Sequence, residues 1–306
     1  MTTQAVRPAE SGHAEEPIVR LRHHGRSVAG AVLLVLAAMF VNFVATSPKL
    51  RLDLVVGYLF ERSILQGLLI TLELTAAAML VGVVLGTVLA MMRISDNPML
   101  RGVATGYVAV FRGTPILVQL LFWFFLGTVL PQISLGIPFG PEFFSISTNT
   151  LITQFAAAIL GLGLNEAAYM AEIVRAGIGS VDKGQTEAAQ ALSMSPWLSY
   201  RRIVLPQAAR LIVPPTANEV ISMLKLTSLA LVIGLPELTT TVQLTYGRNF
   251  QQIPLLIVAS LWYLVLTTIL TLIQSRIERR MSRGVLTATR RRTHFALGGR
   301  DVRRTR

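Results

Sequence analysis

Runs of about twenty apolar residues recur along this chain, and few sequence features constrain a fold so tightly. A bilayer's hydrocarbon core is about 30 Å thick and a helix rises about 1.5 Å per residue, so such runs have the length of membrane spans. Six are present: Val28–Thr46, Ser63–Met92, Thr114–Leu130, Leu151–Ile173, Leu211–Leu235 and Pro254–Gln274. With 52% of its 306 residues hydrophobic and only 14% charged, the chain holds more apolar surface than one water-soluble core needs. Backbone polar groups in lipid must be satisfied within the segment, which favours helices. The sequence therefore predicts an all-α, polytopic transmembrane helical bundle of about six spans. Its expected parts are an N-terminal tail (1–27), an N-terminal span (28–46), a main membrane domain (63–275) and a basic tail (276–306).

The net charge of +12 suggests nucleic acid as a partner, but the placement of the charge argues against it. Eleven of the 28 Lys and Arg residues lie between Arg276 and Arg306, and four more precede residue 27. Basic residues at the ends of a membrane protein mark the cytoplasmic side. With both tails on one side, the connections there carry Arg93, Arg101, Arg112, Arg175, Lys183, Arg201, Arg202 and Arg210. The opposite side has Lys49, Arg51, Arg62 and Arg248, and the connection from Pro131 to Thr150 has no basic residue. Both termini are thus expected in the cytoplasm, in a plasma-membrane protein. The 27 residues before Val28 make a long polar leader for a signal peptide, so Val28–Thr46 reads as a retained span. The basic tail can lie in solvent or contact anionic lipid.

The chain contains no cysteine, which rules out a disulfide framework and thiolate metal sites. It contains no Gly-x-x-x-x-Gly-Lys-Ser/Thr phosphate loop, so the chain is not expected to hydrolyse ATP itself; no cofactor or metal site is expected in it. Gly82 and Gly86 have the small-xxx-small spacing that lets another helix approach closely, and ordinary packing accounts for it.

Between the fourth and fifth runs, residues 180–206 are too polar to span and too patterned for a linker. Asp182 and Gln185 have the spacing of a capping box, and Ala188, Ala189 and Leu192 follow on one face. After a break at 193–195, Ser195-Pro196 supplies an N-cap and a first-turn proline, and Pro206 is expected to limit the second helix. Two readings fit this helix-turn-helix: a docking surface for a separate soluble protein, or an amphipathic hairpin at the lipid headgroups.

Glu187-Ala188-Ala189, then position 193, then Ile203-x-Leu205-Pro206 resembles the coupling loop of ABC-type importer permeases. That family has Gly where this chain has Ser193, and a left-handed conformation there would strain a serine. Residues 111–119, FRGTPILVQ, resemble the "RGTP" segment of the polar amino-acid permeases. Ala167-Ala168-Tyr169 with Glu172 and Arg175, Gly184-Gln185, and Lys225-Leu226-Thr227-Ser228-Leu229 resemble the same family, which usually has Asp at position 226. The resemblance runs from about Gly67 to Gln274. It implies a translocation subunit of an ATP-driven importer for polar amino acids. The implied partners are a separate ATPase that holds ATP and Mg, a second permease subunit and an extracytoplasmic amino-acid-binding protein. Glu187, Ala188 and Ala189 would contribute to the ATPase docking surface and Ile203, Leu205 and Pro206 would anchor the loop, with Leu192 and Ser193 part of the same coupling loop. Rival readings are a permease for another small polar solute, an ion-coupled secondary transporter, and a membrane-anchored DNA-binding regulator.

A charge in mid-span costs about 2.5–3.5 kcal/mol on insertion scales and therefore faces protein or a cavity. Glu219 and Lys225 are such groups. They lie about 240° apart around a helix, so each needs another partner. Pro214-Pro215 is expected to interrupt their helix. Glu172 and Arg175 have i,i+3 spacing and are expected to form a structural ion pair near the cytoplasmic end, with a gating role as the alternative. Arg112 is expected to anchor a helix start capped by Thr114. Gln119, one turn further, joins Glu219 and Lys225 as a candidate pathway residue.

Overall fold

A computed structural model describes residues 24–137 and 142–282. The expected tails, 1–27 and 276–306, therefore lie mostly outside the described residues. The chain divides into two compact units, residues 1–51 and 52–306. In the first, α1 (His24–Thr46) contains the apolar stretch Val28–Thr46, long enough to cross a membrane, and a short 3₁₀ turn (Pro48–Leu50) follows.

The second unit begins with α2 (Leu52–Leu59) and the long α3 (Arg62–Ile94). Then come α4 (Pro98–Gly113), α5 (Ile116–Phe124) and the single turn α6 (Leu126–Val129). An antiparallel hairpin of β1 (Gln132–Gly136) and β2 (Glu142–Ser147) leads through α7 (Thr148–Leu151) into α8 (Gln154–Gly179). The patterned loop forms α9 (Lys183–Ala191) and α10 (Pro196–Ser199). A π-helical turn (Tyr200–Val204) runs directly into α11 (Leu205–Leu226), which ends in a 3₁₀ segment (Thr227–Ile233). The last described elements are α12 (Leu238–Asn249) and α13 (Gln252–Ser282), so the helix continues past the expected boundary at residue 275.

The all-helical class holds, with five helices long and apolar enough to span among the described residues and a sixth crossing if the bent pair α4–α5 counts as one. The run Thr114–Leu130 is not one straight span. Its helix α5 has nine residues, about 14 Å, and meets α4 at 101°. Thr114-Pro115 makes this elbow. A residue before proline is pushed out of the α region, and Thr114 is extended at φ −115°, ψ 144°.

The bundle is organised on α3 against α8, and small residues set their distance. A side chain at Gly86 would meet Met170 Cβ at 2.5 Å and the Ala167 carbonyl oxygen at 2.8 Å. Gly82 faces the Glu166 side chain at a distance that leaves no room for a methyl group. Ala78, Ala167, Ala168 and Ala171 line the contact with no exposed surface. The glycine pair thus serves packing within the chain. At the other end of α3, Ile64 and Leu68 pack with Leu238, Val242, Leu255 and Val258 of α12 and α13.

Candidate functional site: a membrane acid pair and an exposed loop

Two buried carboxylates that the sequence reading passed over dominate the interior. Glu237 is fully buried at the N-cap of α12. It accepts from the amides of Thr239 (2.9 Å) and Thr240 (2.7 Å), the Thr240 hydroxyl (3.0 Å) and the Tyr263 hydroxyl (3.1 Å). Every lone pair that needs a donor has one, so Glu237 ties α12 to α13 as structure. Glu166 is different. It is 3% exposed in mid-α8, its Oε1 is buried without a hydrogen-bond partner, and its carboxylate has no ion pair among the described residues. Glu219, the mid-span acid of α11, is half-buried. Leaving a buried polar group unpaired costs about 1–3 kcal/mol, more when it is charged, so Glu166 is an unsatisfied acid inside the span. Glu166 lies inside the run Leu151–Ile173, so the mid-span rule that marked Glu219 also marks Glu166.

The other candidate pathway residues divide. Lys225 is exposed in the last turn of α11, about 9 Å along the axis from Glu219, and among the described residues it makes no ion pair with Glu219 or Glu166. Gln119 is 8% exposed and its amide is spent on the elbow. Its Nε2 donates to the Phe111 carbonyl (2.9 Å) and the Thr114 hydroxyl (2.7 Å), while its Oε1 accepts from Asn165 Nδ2 (3.2 Å). Asn165 also donates to the Phe111 carbonyl at 2.8 Å. Gln119 is therefore a clamp between α4, α5 and α8, not a group free for substrate. Pro214-Pro215 does not interrupt α11, which runs through both. The prolines instead withdraw the amides that would bond to the Arg210 and Leu211 carbonyls.

Glu172 and Arg175 pair as expected, at 2.9 Å, but the pair is part of a larger cluster. Arg93 of α3 contacts the same carboxylate, and Arg112 of α4 stands 3.9 Å from it with its guanidinium 5.0 Å from the Tyr169 ring centre. One acid thus joins α3, α4 and α8. Arg112 closes α4 instead of starting α5. Thr114 donates back to the Val110 carbonyl (2.8 Å), so it does not cap α5.

In the loop, Asp182 caps α9 by accepting from Gly184 N–H (2.7 Å), and Ser195 caps α10 through Leu198 N–H (3.4 Å). Ser193 is left-handed at φ 56°. Met194 N–H bonds to the Ala189 carbonyl (3.0 Å) and Ser193 N–H to the Gln190 carbonyl (2.9 Å), the double bond pattern of a Schellman motif. A left-handed L-residue costs about 1–2 kcal/mol. Ser193→Gly should stabilise this turn by about 1 kcal/mol, read as slower hydrogen exchange of the Ser193 and Met194 amides; unchanged exchange would count against the strain.

Two loop assignments need correction. Ala189 is 1% exposed, packed inside the hairpin, whereas Glu187, Ala188, Leu192 (77%) and Trp197 (70%) face outward. Pro206 does not end the second helix. Leu205 N–H reaches the Tyr200 carbonyl across five residues, and this wide turn admits the proline without breaking the helix. The extra residue also rotates the buried face, so Val204 and Ala208 are buried with Ile203 half-buried, while Leu205 and Pro206 are exposed.

Residues 82–283 match the family described as binding-protein-dependent transport system inner membrane component. This chain belongs to that family. It is therefore a multi-pass membrane permease component, a translocation subunit and not an enzyme. It is similar to the arginine transport system permease protein ArgU of Corynebacterium glutamicum, with 46% identity over 86% of this chain and 82% of that protein. The arginine transport system permease protein ArtQ of Bacillus subtilis is 36% identical over 79% of this chain and 98% of its own length. Among solved structures, a chain of an amino acid ABC transporter with histidines matches with a TM-score of 0.60 at 35% identity, over 71% of this chain and 94% of that one.

Proposed function

We propose that this permease subunit imports cationic amino acids with an arginine-like side chain. The observation that carries the reading is Glu166, a carboxylate buried in mid-α8 whose Oε1 has no hydrogen-bond partner, with a second mid-span acid, Glu219, half-buried on α11. A guanidinium or ammonium passing between them would supply the missing charge and donors, and Arg-type groups pair with carboxylates through two parallel hydrogen bonds. The relatives named for arginine transport favour the same substrate class. The rival within transport, a neutral amide substrate, gives the second carboxylate nothing to neutralise it.

In the assembled importer, the loop faces the cytoplasm with both termini. A second permease subunit, the same or a relative, completes the pathway. The ATPase, which carries ATP and Mg, docks on Glu187, Ala188, Leu192 and Trp197, and an extracytoplasmic binding protein delivers substrate. Nucleotide-driven closure of the ATPases moves this loop and with it α11. Ala188→Asp should abolish co-purification of the ATPase while membrane insertion persists; Ala189→Asp should instead unfold the hairpin, seen as protease cleavage near residues 190–195. Recovery of a stoichiometric complex from the Ala188 variant would sink the docking surface.

The substrate reading is tested by ATP hydrolysis of the reconstituted complex with its binding protein loaded with arginine, lysine or glutamine. Several-fold stimulation by arginine and lysine over glutamine is expected. Equal stimulation by glutamine would overturn it.

A further inference from the structure

Away from the acid pair, a cavity of about 610 Å³ opens at the loop end of the bundle, within the range of small-molecule sites. Three elements line it: Ser180, Val181 and Asp182 before α9, Gln207, Arg210, Leu211 and Pro214 on α11, and Glu278 and Met281 on α13. Its charged groups are underused. Among the described residues, the Arg210 side chain makes no ion pair or hydrogen bond. Asp182 spends one oxygen on the Gly184 amide, and Glu278 spends one on Gln274. The Arg210 and Leu211 carbonyls have lost their amide donors to Pro214 and Pro215, which adds acceptors on the same stretch of α11. Among the described residues, the groove thus offers the Arg210 guanidinium, one further oxygen each on Asp182 and Glu278, and the Arg210 and Leu211 carbonyls beside Pro214 and Met281.

We propose that this groove is a second binding site, on the cytoplasmic side, for a cationic α-amino acid, the product of transport. The proposal rests on the substrate class inferred above. Arg210 takes the α-carboxylate, and Asp182 and Glu278 take the α-ammonium and the side-chain cation. The aliphatic stem lies on Leu211, Pro214 and Met281. A neutral amino acid leaves one carboxylate unpaired, and an anionic one meets two like charges. Because Asp182 is the N-cap of α9, an occupied groove ties the docking loop to α11 and α13 and restrains its motion. Accumulated product therefore slows further import.

The test uses the permease–ATPase complex in nanodiscs without binding protein, with radiolabelled arginine as probe. The Arg210→Met/Glu278→Gln double variant should lose one saturable site per permease chain that Glu166→Gln retains. In vesicles preloaded with arginine, uptake should fall several-fold for the unmodified complex and stay unchanged for the double variant. Equal arginine stoichiometry in both proteins, or equal inhibition by preloading, would overturn the groove site. Loss of the groove site in the double variant, with Glu166→Gln leaving pathway binding and transport intact, would uphold the groove and sink the acid-pair reading alone.

Discussion

Glu166→Gln is expected to cut arginine uptake at least tenfold while the variant inserts and assembles with its ATPase as before. The substitution keeps the side chain's volume beside Gly82, so the α3–α8 packing survives, and it removes only the charge that a passing cation would neutralise. Truncating one partner of a buried charge pair costs about 2–5 kcal/mol, and about 1.4 kcal/mol corresponds to a factor of ten. The loss should be selective: neutral substrates offered by the same binding protein should lose much less, so the arginine-to-glutamine uptake ratio falls. Glu219→Gln should act in the same direction but more weakly, because Glu219 is half-buried and better screened. Gly82→Ala should also lower arginine uptake, since a methyl group there meets the Cβ and Cγ of Glu166 and must shift that side chain or the α8 backbone that carries it. Unchanged arginine uptake by Glu166→Gln would leave the buried, unpartnered oxygen without a transport role. The contrast is Glu237→Gln. That carboxylate is already saturated by Thr239, Thr240 and Tyr263, so its loss should appear as lower stability with no change in selectivity.

The membrane spans were legible because the bilayer imposes one length on every crossing, and α3, α8 and α13 lie where their apolar runs place them. The loop was legible because its caps are local. Asp182, Ser195 and Pro196 act within four residues, and Ser193 had to be left-handed once the turn closed as a Schellman motif. Other features failed to show. The elbow between α4 and α5 depends on Asn165, over forty residues from Gln119, so Gln119 read as a free polar group in a span. The buried face of the second loop helix depends on a π turn, and hydrophobic periodicity assumes the regular α repeat that this turn breaks. The prolines of α11 read as a break because propensity counts the lost amides but not the packing that holds the helix through them. The β1–β2 hairpin had a local signal that went unused: Ile133 and Leu135 alternate with Ser134 along one strand. Glu172 was assigned a single partner. Its links to Arg93 and Arg112 come from other helices, and no spacing rule within α8 reveals them.

The closest approach of α3 and α8 sets up the second large effect. Gly86→Leu should yield no monodisperse protein in mild detergent, and Gly86→Ala should lower the unfolding temperature by about 4–8 °C. The atoms that a side chain at Gly86 would meet are Met170 Cβ, the Ala167 carbonyl oxygen and the Ala171 amide nitrogen at 3.0 Å, all on or next to the α8 backbone. A flexible side-chain tip can swing aside; a helix backbone cannot, so the two axes must separate. Separation would loosen the small-residue contact of Ala167, Ala168 and Ala171 against Leu89 and Ala104. In lipid no hydrophobic force restores it, since association there rests on van der Waals contact and interhelical hydrogen bonds. It would also pull Arg93 from Glu172, so charge as well as packing is lost. Gly102 provides the control. Nothing lies within 4 Å of a side chain built there, and alanine is the better helix former, so Gly102→Ala should leave the unfolding temperature unchanged or slightly raised. If Gly86→Ala behaved like Gly102→Ala, α3 and α8 would have to sit farther apart than this packing allows, and the space that Gly82 leaves for Glu166 would no longer be set by the helix contact.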